Sequence, residues 1–95
     1  MQQYHTEAKP QSWRAVAIFD DGRYDQLLYL HRSSQQIRSG YRQAFFDVLD
    51  EEERAHVKQI AMQHWEGAAD SGRWNHHTYL NLPVPALMDN LAAVA

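Results

Sequence analysis

The stretch from Trp13 to His31 constrains the fold more than any other part of this 95-residue chain. Two runs rich in apolar and aromatic residues flank the dipeptide Asp21-Gly22, which is the strongest short-range signal for a β-hairpin. Asp tolerates, and Gly freely adopts, the positive φ that both central positions of a two-residue turn need. Because an isolated two-stranded ribbon is marginally stable in water, the rest of the chain must cover this hairpin.

Length and composition predict one globular domain. With 44% hydrophobic and 22% charged residues, the chain has an ordinary globular composition. It contains no cysteine, which excludes disulfides and thiolate zinc sites and is typical of a reducing compartment. No apolar run approaches the ~18–20 residues of a membrane span, so we expect a cytoplasmic protein without a membrane partner. The formal net charge of −3 argues against a dedicated nucleic-acid binder.

The two-residue turn predicts a register in which Ala17 faces Gln26 and Ala15 faces Leu28 across the hairpin. One side of the ribbon can then pack on helices, while the other keeps an apolar patch. Such a patch is typical of a partner-binding or dimer surface, and a cover by the N-terminal arm or the C-terminal segment explains it equally well. The residues predicted to bind a partner here are Val16, Ile18, Leu27 and Tyr29.

A first helix is predicted to begin at Ser33 or Ser34, because Ser33 and Gln36 have the spacing of a capping box. Gly40 lowers its stability by up to ~1 kcal/mol relative to Ala, or marks the close approach of another backbone. Phe46 points away from the apolar stripe and is a further candidate contact for a partner. The stripe and its flanking residues are Ile37, Tyr41, Ala44, Phe45, Val48 and Leu49.

A second helix is predicted from Asp50 to just before Gly67. Asp50 and Glu53 again have capping-box spacing, and acidic residues suit the positive end of a helix. This structural explanation of the four consecutive carboxylates is favoured over a divalent-cation site. The expected apolar stripe consists of Val57, Ile60, Ala61 and His64, with Trp65 beside it.

The segment from Trp74 to Leu82 alternates like a one-sided strand and is predicted to join the hairpin as a third strand. A short amphipathic helix after Pro85 carries three more candidate partner-binding residues, Leu87, Met88 and Leu91. Residues 1–12 are expected to form a flexible arm or an edge strand, and residues 13–95 a single small domain. The predicted fold is therefore α+β: a three-stranded, mainly antiparallel sheet in β-β-α-α-β-α order, with two helices packed on one face.

Six histidines in 95 residues suggest a metal site as one hypothesis. His56 and His64 would lie ~12 Å apart along a helix and cannot share one ion. His76 and His77 are adjacent in a predicted strand and point to opposite faces. A site built from His31, His64 and one of these two has no spacing motif to support it. No catalytic motif is present either, so we expect no catalytic residue, metal or cofactor.

These observations favour a small non-enzymatic protein-interaction or regulatory module that forms a homodimer or binds another protein. The contact would involve the apolar side of the hairpin or the segment around Leu87. The alternative is nucleic-acid or phosphate binding through Arg32, Arg38 and Arg42, of which the last two lie one helical turn apart. Pairing of these arginines with Asp47 and with the carboxylates of residues 51–53 is the preferred explanation of their presence.

Overall fold

A computed structural model of the chain describes residues 12–83. The predicted N-terminal arm up to residue 11, and the predicted C-terminal helix with Leu87, Met88 and Leu91, lie outside these residues. The elements in chain order are β1 (Trp13–Phe19), β2 (Gln26–His31), α1 (Ser34–Val48), α2 (Glu51–Ala55), β3 (Val57–Glu66) and β4 (Arg73–Leu80).

The fold is α+β with one antiparallel sheet, as predicted, but the sheet has four strands instead of three. Its order is β2-β1-β3-β4, and every neighbouring pair is antiparallel. The described elements follow the order β-β-α-α-β-β rather than the β-β-α-α-β-α that the sequence suggested. No helix among residues 12–83 is long and apolar enough to cross a membrane.

The segment Val57–Glu66 was predicted as a helix and is the strand β3. The capping box predicted for the start of that helix is present at Asp50 and Glu53, and both of its reciprocal hydrogen bonds are 2.8 Å long. The helix that begins there ends after five residues. The segment that follows pairs with β1 on one side and β4 on the other. Residues 60–62 are all buried although their side chains alternate between the two faces of the sheet, so the alternation that marks a strand is hidden.

The hairpin is confirmed, with a longer connection and a shifted register. Ala17 faces Gln26 as predicted, but β1 and β2 are joined by residues 20–25, and Gly22 has a positive φ (87°) while Asp21 does not. The connection is therefore not a two-residue turn. A β-bulge between Ala15 and Val16 also brings Ala15 opposite Tyr29 instead of Leu28.

The helix α1 covers one face of the sheet, which we call the first face. Ser33 caps it by accepting the backbone N–H of Gln36 at 3.1 Å, as the spacing predicted. Of the expected stripe, Val48 is exposed, and Leu49 beyond the helix end is buried in its place. The core between α1 and the first face consists of Ala15, Ala17, Phe19, Leu28, Ile37, Tyr41, Ala44, Phe45, Leu49, Val57, Ile60, Met62 and Leu80.

The two predicted helices differ in how they meet the sheet. α1 packs on β1 and β2, whereas α2 buries none of its residues, so one helix and not two covers the first face. Gly40 of α1 does mark a close approach, but of a side chain rather than a backbone. A Cβ at this position would lie 2.5 Å from Cε2 of Tyr29.

Candidate interaction surface

The sheet face opposite α1, which we call the second face, carries an apolar row that crosses all four strands. The register aligns Leu27, Val16, Ala61 and Tyr79 on β2, β1, β3 and β4 in that order. The two central residues are buried, while Leu27 and Tyr79 at the ends are 43% and 54% exposed. Within the row, apolar surface is therefore exposed to water at the two ends.

One end of the second face is aromatic and carries a cation. Nε of Arg14 donates a hydrogen bond to Oε1 of Gln63 at 2.6 Å, and its Cζ lies 4.3 Å from the centre of the Trp74 ring. The Trp65 ring meets Trp74 edge-on at 5.3 Å. Burial lowers the pKa of the Arg14 guanidinium, and the charge of Asp25 partly offsets this effect. Trp, Tyr and Arg are the residue types most enriched among binding hot spots.

The residues predicted to bind a partner divide between the two sides of the molecule. Val16, Ile18 and Leu27 lie on the second face. Tyr29 does not, because the bulge turns it toward α1, where it packs against the core. Phe46 lies on the outer side of α1, edge-on to the Phe45 ring. The three C-terminal candidates, Leu87, Met88 and Leu91, lie outside the described residues.

The sequence interpretation missed several residues of the second face, namely Ala61, Gln63, Trp65, Trp74 and Tyr79. The residues in β3 could not be assigned to this face because the local apolar spacing predicts a helix there. Trp74 and Tyr79 were placed on opposite sides of a regular strand. Met62 pairs with Thr78 but Gln63 pairs with His76, so a β-bulge adds one residue to β4 between these pairs. The bulge brings the rings of Trp74 and Tyr79 to the same side of the sheet. Nothing in the local sequence marks this bulge.

The three predicted anion-binding arginines are not brought together. Arg38 and Arg42 on α1 line a cavity of about 250 Å³ between the helix and the end of β4, whereas Arg32 does not line it. The backbone N–H of Arg32 donates to Nδ1 of His31. Among residues 12–83, neither Arg38 nor Arg42 has a carboxylate partner. The predicted pairing with nearby acids is therefore not seen in this part of the chain.

Three of those four nearby acids are engaged by other groups. Asp47 accepts a hydrogen bond from the side chain of Gln43 at 3.0 Å. Glu52 forms an ion pair with Arg23, and Glu53 belongs to the cap of α2. Two guanidinium groups are thus left beside the cavity without a neutralising acid among the described residues.

The histidines occupy separate positions. His64 stacks on the Trp13 ring with 4.2 Å between centres, and His77 meets the same ring edge-on at 5.0 Å. His76 lies on the second face, 4.4 Å from the Tyr79 ring. These are packing contacts around aromatic rings. Among residues 12–83, the ring nitrogens of His31, His64 and either His76 or His77 do not come close enough together to share one ion.

An ion-pair cluster joins the hairpin loop to α2. Ligand atoms of Asp20, Asp21 and His56 lie within 4.8 Å of one another. Arg23 bonds to Asp21 and reaches Glu52, so the carboxylates already have a cation among them. The hydrogen bonds from Arg23 lower the pKa of Asp21 and raise that of the guanidinium. We interpret the cluster as a structural contact that holds the loop.

No model of a known protein family matches this chain, and neither the curated proteins nor the solved structures include one that is similar to it.

Proposed function

We propose that this protein is a non-enzymatic interaction module that forms a homodimer through its second face. The observation that supports this proposal is the apolar row of Leu27, Val16, Ala61 and Tyr79, which is continuous across all four strands. Large apolar side chains at both ends of the row remain in contact with water in the single chain. Their burial against another sheet would be favourable in proportion to the apolar area removed from water.

The chemistry of the row fits a second copy of the same chain. A two-fold dimer brings identical surfaces together, so a charged surface would meet its own charge. The row contains no Asp, Glu, Lys or Arg, and two copies can therefore meet without like-charge repulsion. Arg14 lies beside the row, where Gln63 and the Trp74 ring already provide its contacts. Two such sheets would pack face to face ~10 Å apart, as in a β-sandwich.

The size of the second face sets the expected strength of the contact. Four strands of about eight residues span a face of roughly 19 by 26 Å, given ~4.8 Å between strands and ~3.3 Å per residue. This is roughly 60% of the ~800 Å² that each partner buries in a standard stable interface. We therefore expect weak association, with a dissociation constant in the micromolar range. The lack of cysteine in the sequence supports a reducing compartment such as the cytoplasm as the site of action.

The test is the oligomeric state of the full chain and of two matched variants. Sedimentation equilibrium from ~1 to ~100 µM, a range that brackets a micromolar dissociation constant, should show a monomer–dimer equilibrium for the natural sequence. Leu27→Lys places a charge in the row and should leave a monomer throughout. Val48→Lys is the control, since Val48 is also 43% exposed but lies on α1, on the other side of the sheet.

Two results would contradict the proposal. The natural chain could stay monomeric over the whole range, which is what a cover formed by the chain's own terminal segments predicts. Alternatively, Val48→Lys could weaken the dimer as much as Leu27→Lys does, which would place the contact elsewhere. Unchanged far-UV circular dichroism of both variants would show that they remain folded.

A further inference from the structure

We infer that the cavity between α1 and the end of β4 binds the phosphate group of a small phosphate monoester. The cavity lies apart from the centre of the second face, and the inference goes beyond the proposed dimer. Its volume is about 250 Å³, enough for a phosphate with one ring attached and below the usual range of drug-sized sites. The residues that line it are Arg38, Tyr41, Arg42, Tyr79, Leu80 and Asn81.

The charge of the cavity selects an anion. Arg38 and Arg42 lie one helical turn apart and face the same cavity, and none of the lining residues is acidic. Within the described part of the chain, neither guanidinium has a carboxylate to neutralise it. Two adjacent guanidiniums match the charge of about −1.5 to −2 that a phosphate monoester carries at neutral pH. Their planar N–H groups also match phosphate oxygens geometrically.

The cavity wall is held in place by Tyr41. This tyrosine is buried against the core, and its hydroxyl donates a hydrogen bond to the backbone carbonyl of Asn81 at 2.7 Å. The bond fixes the end of β4 beside α1. The Arg42 guanidinium lies 5.4 Å from the centre of the Tyr41 ring, a distance at which cation–π attraction operates. One of the two cations is thereby positioned on a rigid wall before any ligand arrives.

Tyr79 also lines the cavity, but its register places its side chain in the apolar row of the second face, opposite α1. The two arginines are therefore the groups that contact the ligand, and they contact its phosphate. We expect phenyl phosphate and inorganic phosphate to bind with similar affinity.

The experiment is calorimetric titration of the full chain with phenyl phosphate and, separately, with inorganic phosphate. Arg38→Gln and Arg42→Gln should each weaken the binding of phenyl phosphate about tenfold, the effect of losing one hydrogen-bonded charge. Arg32→Gln is the matched control, because it removes the same charge from the preceding loop and should leave the affinity unchanged.

Three results would overturn the inference. The first is the absence of measurable binding of phenyl phosphate at millimolar concentration. The second is an equal loss of affinity in Arg32→Gln, which would indicate attraction by net charge and not by the cavity. The third is much tighter binding of a single-stranded oligonucleotide that depends on all three arginines, which would indicate an extended nucleic-acid surface. The arginine variants leave the second face unchanged. If they did not weaken phosphate binding, the dimer proposal would therefore not be affected.

Discussion

The two faces of the sheet are made by alternate residues of the same strands, yet they do different things. The first face receives Ile37, Tyr41 and Phe45 from α1 and forms the core of the described structure. The second face meets no helix among residues 12–83, and its apolar row ends in two exposed side chains, Leu27 and Tyr79. The core of the described fold therefore lies on the first face, while the second face leaves two apolar side chains in contact with water.

The largest expected effect is on the free energy of unfolding, and it compares a substitution on the first face with one on the second face. Met62 is fully buried on the first face, so Met62→Ala should lower the free energy of unfolding by about 2–5 kcal/mol through lost contacts and a cavity. Leu27→Ala on the second face should cost less than ~1 kcal/mol in dilute solution, since this side chain is already half in water. Urea unfolding at low protein concentration measures both values. Equal losses would show that the second face is also a core surface.

A second experiment examines how tightly α1 covers the first face. Gly40→Ala raises helix propensity by up to ~1 kcal/mol, but the new Cβ meets the Tyr29 ring at 2.5 Å. The cost of overpacking should exceed the gain in helix propensity, so the free energy of unfolding should fall by about 1–2 kcal/mol. In a Tyr29→Ala background the same change should become stabilising. Urea unfolding of this double-mutant cycle measures the sign, and a stabilising effect of Gly40→Ala alone would show that the ring moves aside freely.

The two helix caps give a smaller contrast. Ser33→Ala should lower the free energy of unfolding by about 1 kcal/mol, because α1 is part of the core that unfolds as a unit. Asp50→Ala removes a complete capping box but should cost less, since α2 buries no residue and can fray locally. Thermal unfolding of both variants compares them. An equal or larger effect of Asp50→Ala would mean that α2 contributes to the cooperative unit.

The smallest effect concerns the hairpin loop, which belongs to neither face. Hydrogen bonds from Arg23 hold the pKa of Asp21 below its ordinary value. A carboxyl whose pKa is lowered in the folded state stabilises it above the unfolded pKa, and this contribution is lost as the pH falls through the folded pKa. Asp21→Asn should therefore lower the thermal midpoint slightly at neutral pH and leave it unchanged at strongly acidic pH. Midpoints measured from about pH 7 to about pH 2 test this sign.

The two helix caps show how far the local sequence reached. Both N-cap residues were predicted correctly, because a cap depends on residues three positions apart and on no distant partner. A full capping box is present at Asp50 and Glu53, whereas at Ser33 only the bond from the backbone of Gln36 is formed. What followed each cap differed: Ser33 starts a helix of 15 residues, and Asp50 starts one of five. The apolar spacing after Asp50 fits a helix, yet pairing with β1 and β4 makes the segment a strand. Tertiary pairing outweighed a weak local preference.

The candidate site was predicted less well than the fold, for the same reason. Val16, Ile18 and Leu27 were identified because they alternate within one hairpin. Tyr79 and the two tryptophans required knowledge of which strands neighbour each other and where bulges lie. The arginine pair on α1 was visible from its spacing, but the cavity depends on the end of β4, which lies about 40 residues away in the chain.

The sequence by itself determined the α+β class, the hairpin, the two helix starts and the apolar alternation of the first strand. These follow from interactions between residues close in the chain, whose geometry the backbone fixes. The tertiary structure decided that Val57–Glu66 is a strand, that α1 covers one face, and that the apolar row spans four strands. The physical reason is that strand pairing satisfies backbone hydrogen bonds between segments far apart, and no local pattern specifies the partner.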